Sequence, residues 1–185
     1  MGGAHEHADK NFTDESPFPD VEPYNTPEEG FEVKYTGNCH CKAVKFEAKC
    51  DPVASVCCHC RTCQVVHGAT SQRAVLFKKD MIKFDSDSLE HLAFYQTHDS
   101  KVGRHLPSKV RCKTCGTLVA DEGRNMWLAF PALFNFGDDD HPAKEPESFK
   151  IQHHIFYGQR MPGMNIEKTE GVKFWEGKKE ESKEL

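Results

Sequence analysis

No stretch of the chain comes near the roughly 18 consecutive apolar residues that a membrane-spanning helix needs, and its first residues carry no signal-peptide core. A cytoplasmic location, with the nucleus as the alternative, is the expectation, and membrane is not an expected partner. Positive charge is short as well: 24 lysines and arginines face 29 acidic residues, for a formal net charge of −5. A protein holding nucleic acid by bulk charge shows the opposite balance. The densest basic run, between Lys101 and Lys113, has no aromatic side chain interleaved for base stacking, so nucleic acid is not an expected partner either.

Apolar side chains make up only 37% of the chain, and the shortage lies mainly at the ends. Residues 1–28 combine few apolar groups with Pro17, Pro19, Pro23, Pro27 and many acids. Such a segment cannot offset its conformational entropy by burial, so it is expected to be a disordered acidic arm. Residues 177–185 read as a charged tail for the same reason. Between them, residues 29–176 are expected to form one domain, large enough to fold alone but helped by metal cross-links.

Inside that domain the apolar residues fall in short alternating runs bounded by turn residues, which predicts a mainly β fold with few helices. Strands are expected at 31–35, 43–48, 53–58, 73–77, 81–84, 92–95, 109–111, 117–119, 126–130, 151–157 and 172–175, with a loop at 97–107. Residues 61–67 are expected to make one or two helical turns before Gly68, residues 131–136 a helical turn, and residues 137–140 an exposed acidic loop. Gly116 supplies the positive φ that a turn after Cys112-Lys113-Thr114-Cys115 requires.

Cysteine, by contrast, is plentiful, with nine in 185 residues. In a reducing compartment that number signals metal or redox chemistry rather than disulfides. Seven fall into sets with ligand spacing: Cys39 and Cys41; Cys58, Cys60 and Cys63; Cys112 and Cys115. A structural zinc takes four ligands in a closed tetrahedron, whereas a reactive site keeps one position open. Pairing the first set with the last gives a tetrathiolate site that clamps two distant hairpins together. The middle set is left with three thiolates and a vacant position, the arrangement suited to catalysis. Two zinc ions per chain, one structural and one catalytic, are therefore expected. Cys57, Cys50, His59 or His67 as a fourth ligand to the middle set is the alternative, and redox chemistry at Cys60-Arg61-Thr62-Cys63 is another.

Three motifs in order, Gly37-Asn38-Cys39-His40-Cys41-Lys42-Ala43-Val44-Lys45-Phe46, Cys58-His59-Cys60-Arg61-Thr62-Cys63 and Cys112-Lys113-Thr114-Cys115-Gly116-Thr117, resemble the glutathione-dependent formaldehyde-activating enzyme family, which includes the centromere protein V domain. His154-Ile155-Phe156-Tyr157-Gly158-Gln159-Arg160 is similar to the closing strand of eukaryotic members. Lys42 stands where glycine is common. The resemblance implies a β-tent of antiparallel sheets, a structural site of Cys39, Cys41, Cys112 and Cys115, and a catalytic site of Cys58, Cys60 and Cys63. It also implies a carbon–sulfur lyase or synthase joining glutathione to formaldehyde as S-hydroxymethylglutathione, or acting on a related thiol adduct, so the expected partner is a small-molecule thiol. His59, His67 or water is the candidate proton donor. A non-catalytic zinc- or glutathione-binding module is the rival reading. A B-type methionine sulfoxide reductase fits less well, because its zinc is built from two Cys-x2-Cys pairs.

Overall fold

The computed structural model describes residues 21–137, 144–164 and 166–185. The chain opens with a hairpin of β1 (Tyr35–Asn38) and β2 (Lys45–Ala48), paired antiparallel, and Cys39 and Cys41 lie in the turn between them. β3 (Ala54–Cys58) runs directly into the Cys58–Cys63 segment, and α1 (Arg61–His67) follows, closed by Gly68 in the left-handed conformation. β4 (Gln72–Lys78), β5 (Ile82–Phe84), β6 (Leu92–Gln96) and a two-residue β7 (Lys101–Val102) come next. β8 (Ser108–Cys112) and β9 (Leu118–Glu122) form the second cysteine hairpin, followed by β10 (Met126–Ala129), β11 (His153–Ile155) and β12 (Lys173–Phe174).

These strands make two sheets, one of order β1-β2-β5 and one of order β12-β11-β3-β4-β10-β9-β8-β6-β7. The mainly β expectation holds, and pairing is antiparallel except at β11, which runs parallel to both β3 and β12. The short alternating runs produce this because one face of each strand is apolar. One face of the larger sheet buries Val75, Phe77, Trp127, Ala129 and Val110 against Phe46, Phe84 and Ile82 of the smaller one. Each such aromatic or aliphatic side chain contributes about 1.5–3 kcal/mol when buried. Gly37 is fixed by this packing: a Cβ there would sit 2.4 Å from the Phe46 ring and 2.9 Å from the Leu133 carbonyl oxygen.

The opposite face of the larger sheet carries a second, smaller apolar cluster of Val56, Ala74 and Phe130 with Leu76, Leu128 and Ile155 packed on it. The helix α1 lies here, with the His67 ring edge-on to Phe130 at 5.0 Å between centroids.

Three expectations need correction. Residues 1–20 lie outside the described residues, but the arm's later part belongs to the core: Tyr24 is 6% exposed, packed against Phe84, Phe94 and Trp127. A single aromatic residue anchors a segment whose composition is otherwise polar. The 177–185 tail folds back, with Leu185 N–H donating to Phe174 O at 2.8 Å and Glu176 N–H to Lys183 O at 2.9 Å. These are backbone contacts, which side-chain composition does not reveal. The first strand starts at Tyr35 rather than residue 31, where its partner Ala48 ends β2. Of the expected acidic loop, residues 138–140 lie outside the described residues.

Candidate metal centres

All nine cysteines are free thiols, and seven of them gather into two groups that match the expected sets. In the first, the sulfurs of Cys39, Cys41, Cys112 and Cys115 lie within 4.8 Å of one another. Cys39 Sγ is 3.5 Å from Cys41 Sγ, which is 3.8 Å from Cys112 Sγ. A tetrahedron of sulfurs about 2.3 Å from a central zinc has edges of about 3.8 Å, so the four fit such an ion. The local fold explains the gathering. In the first hairpin Cys39 N–H donates to Val44 O and Lys42 N–H to Cys39 O, while Lys42 turns the chain with φ +63°. In the second, Gly116 takes φ +76°, and its N–H donates to Cys112 O.

Neighbouring groups act unevenly on these thiols. A backbone bond at Ala43 favours the Cys41 thiolate, but desolvation and the Cys115, Cys39 and Cys112 sulfurs outweigh it and push Cys41 up to about 12. Val44 N–H donates to Cys39 Sγ at 3.3 Å, and Thr117 Oγ1 sits 3.1 Å from Cys115 Sγ. Burial pushes Cys115 up, but hydrogen bonds from Thr117 and Cys41 outweigh it and hold this thiol down to about 5. Cys39 and Cys112 are fully buried, Cys115 is half-buried and Cys41 is exposed, so a metal there would sit at the edge of the domain interior.

The second group is Cys58, Cys60 and Cys63, again within 4.8 Å, with no fourth Cys, His, Asp or Glu joining it among the described residues. Cys58 closes β3, Cys60 caps α1 and Cys63 lies in its first turn, so a strand end turning into a helix folds three sulfurs together. Cys60 Sγ accepts from Cys63 N–H at 3.4 Å. The bonds from Cys58 and Cys63 hold the Cys60 thiol down to about 2, while bonding to Cys60 and Cys63, with burial, pushes Cys58 well up. One sulfur keeps its charge at its neighbours' expense. Three thiolates this close need a cation among them, and the donor set suits a thiophilic ion such as zinc.

The loop bearing these cysteines is held from outside. The buried Gln64 side chain donates to His59 O at 2.6 Å and to Gln159 O at 2.9 Å, and Gln159 Oε1 accepts from Arg61 N–H at 3.1 Å. The sequence reading missed Gln64; Gln159 lay within the quoted closing motif but had no role assigned to it.

Cys57 and His59 belong elsewhere. Cys57 is paired in register with His154, so their side chains share the face of β3 opposite to Cys58. His59, 1% exposed, forms a 2.9 Å hydrogen bond between its Nε2 and His154 Nδ1, and burial pushes it down to about 4. That bond ties the cysteine loop to β11. Cys57, His59 and His154 place their ligand atoms within 4.8 Å of one another, apart from the three-sulfur group. Cys50 is half-buried, its Sγ 3.1 Å from the Met81 sulfur. His67 is on the α1 side, its ring nitrogen Nε2 buried and without a hydrogen-bond partner among the described residues, and burial with the nearby Lys109 charge pushes it down to about 4.

The family model described as glutathione-dependent formaldehyde-activating enzyme matches residues 34–159, which span both cysteine hairpins and the three-sulfur loop. A Schizosaccharomyces pombe protein named as an uncharacterized lyase is 28% identical over 111 residues, covering 55% of this chain and 69% of its own length. A solved structure of a Rhodobacter sphaeroides protein aligns over 57% of this chain and 92% of its own, with 19% identity and a TM-score of 0.44.

Proposed function

The chain belongs to the glutathione-dependent formaldehyde-activating enzyme family, and from that premise we propose that it is a zinc-dependent carbon–sulfur lyase or synthase acting on glutathione adducts. In this reading it joins glutathione and formaldehyde to S-hydroxymethylglutathione, or splits that adduct or a related one. The observation that carries it is the asymmetry of the two sulfur groups: four cysteines close one, while three, among the described residues, make up the other. A closed set suits architecture, and an open one leaves room for a substrate sulfur. The lyase name of the yeast relative supports the same reaction class.

Zinc held by Cys58, Cys60 and Cys63 would supply a position at which a thiol is deprotonated and kept nucleophilic at neutral pH. The protein's own part is placement. Cys60 as helix cap and Gln64 as a brace fix the three sulfurs relative to the sheet, so an incoming thiol meets a rigid frame. Phe130, Val56 and Leu128 give the neighbouring sheet face an apolar lining that limits water near the reacting carbonyl. In the synthetic direction the substrate sulfur forms a bond to the carbonyl carbon. The C=O π pair moves onto oxygen, and that oxygen takes a proton to give the hydroxymethyl group. The lyase direction reverses each step.

The test is to measure exchange between free glutathione with formaldehyde and the adduct by NMR. Wild-type protein is expected to speed exchange above the spontaneous rate. A rate equal to the uncatalysed one at every protein concentration would overturn the proposal in favour of a binding module.

A further inference from the structure

A buried and a half-buried carboxylate stand on opposite faces of the larger sheet, and their surroundings differ. Glu122, fully buried on the core side, has both oxygens occupied: Tyr24 and Arg104 donate to Oε2, and Lys79 and Arg104 to Oε1. Asp121 is on the other face, where Lys109 Nζ donates to its Oδ2 at 2.6 Å. Its Oδ1 is covered and has no hydrogen-bond partner among the described residues. Lys109 is itself only 8% exposed.

Strand register places this pair on the face that carries the three-sulfur group. Lys109 pairs with Asp121, Asp121 with Leu128, Leu128 with Leu76, and Leu76 with Ala54, whose face of β3 is shared by Val56 and Cys58. The helix α1 covers the same face through His67 on Phe130. Phe130 lies two residues from Leu128, the strand partner of Asp121, so the end of α1 that bears His67 covers the part of the face next to the pair, with Cys63 one turn back along the helix. The Lys109 charge is felt at His67. His67 Nε2 is a second covered polar atom there without a hydrogen-bond partner among the described residues.

An ion pair on an apolar face costs in desolvation about what it returns in attraction, so stability alone is a weak reason for it. A covered acceptor left unpaired adds to that cost. Both costs become intelligible if a ligand completes the set. The ligand must offer a donor to Asp121 Oδ1 and an acceptor to Lys109, which a hydroxyl does with a single oxygen.

We propose that Lys109 and Asp121 form the polar wall of the substrate pocket at the Cys58–Cys60–Cys63 group, with the Lys109 ammonium donating to the hydroxymethyl oxygen of the thiol adduct and Asp121 Oδ1 accepting from that hydroxyl. This rests on the function proposed above and names what recognises the adduct. As the carbon–sulfur bond forms, negative charge grows on that oxygen, and an ammonium already fixed beside it stabilises the charge without reorganising. Through its other oxygen, Oδ2, Asp121 also fixes the ammonium.

The test compares wild-type protein with Lys109→Met, Lys109→Arg and the double variant Lys109→Met/Asp121→Asn, which strands no buried charge. Zinc content is measured alongside calorimetric affinity for two probes: S-methylglutathione, and the adduct present when glutathione is mixed with excess formaldehyde. Wild-type protein is expected to bind the adduct more tightly than the methyl compound. In Lys109→Met and the double variant that preference should fall about tenfold with zinc content unchanged, and Lys109→Arg should keep most of it. Turnover should fall about a hundredfold in kcat, with KM for glutathione little altered. A folded double variant keeping wild-type preference and kcat would overturn the inference, and so would loss of zinc from it. If wild-type protein does not accelerate adduct exchange at all, the proposed function has failed and the inference falls with it. If wild-type and variants accelerate it equally, only the inference has failed.

Discussion

The Tyr24 hydroxyl donates to Glu122 Oε2 at 2.6 Å across 98 residues of sequence, anchoring the N-terminal arm to the middle of the larger sheet. Tyr24→Phe keeps the ring and loses the donor, and should destabilise the domain by about 1–2 kcal/mol. Tyr24→Ala removes the packing as well and should cost about 3–5 kcal/mol. Urea midpoints of the three proteins measure this. Equal midpoints would mean that the arm is dispensable.

The same residue sets a pH dependence. Burial, and then the Glu122 charge, raise the Tyr24 hydroxyl well above its ordinary value of 10.0. The folded protein therefore holds a proton that the unfolded chain releases above pH 10.0. Linkage makes the contribution full below that pH and progressively lost above it. The stability gap between wild type and Tyr24→Phe should accordingly persist at neutral pH and narrow as pH rises beyond 10.0. A gap that widened with pH would contradict the burial of this hydroxyl.

Lys42 occupies the left-handed region, with φ +63°, in the turn that presents Cys39 and Cys41. A side chain there costs about 1–2 kcal/mol, partly offset by the greater freedom glycine adds to the unfolded chain. Lys42→Gly should raise stability by about 0.5–1 kcal/mol, and a β-branched Lys42→Val should lower it. Thermal unfolding of the two variants decides the sign.

Each cysteine set was legible in the sequence because its own members are local: hairpin turns and a strand-to-helix turn fix sulfurs two or three residues apart. Joining the Cys39–Cys41 set to the Cys112–Cys115 set, with Cys41 and Cys112 71 residues apart, followed from the four ligands a closed zinc site takes. The helix at 61–67 and the positive φ of Gly116 were legible for the same reason. What escaped depends on distant partners. The His59–His154 bond, the Lys109–Asp121 pair and the Tyr24 anchor each require knowing which strands are neighbours and in what register. The parallel position of β11 beside β3, which brings His154 to His59, follows from a return of the chain that no local pattern marks.

Gln64 braces the three-sulfur loop through two backbone carbonyls that would otherwise lack this donor. Gln64→Ala should weaken metal binding at Cys58, Cys60 and Cys63 by about 10–100-fold and leave the four-cysteine site unaffected. Gln64→Glu removes the donor at nearly constant shape and should behave similarly. Chelator competition, read as two separate release steps, measures it; both steps moving together would indicate general loosening instead.

Under the proposed function four cysteines hold the fold while three perform the chemistry. Zinc content and turnover of Cys63→Ser, set beside the folding of Cys115→Ser, test it most directly. Cys63→Ser should stay folded, retain one of two zinc ions and lose adduct exchange. Cys115→Ser should fail to fold, because metal binding at that site is folding free energy. A Cys63→Ser protein with wild-type turnover, or a Cys115→Ser protein that remained folded and active, would contradict the division.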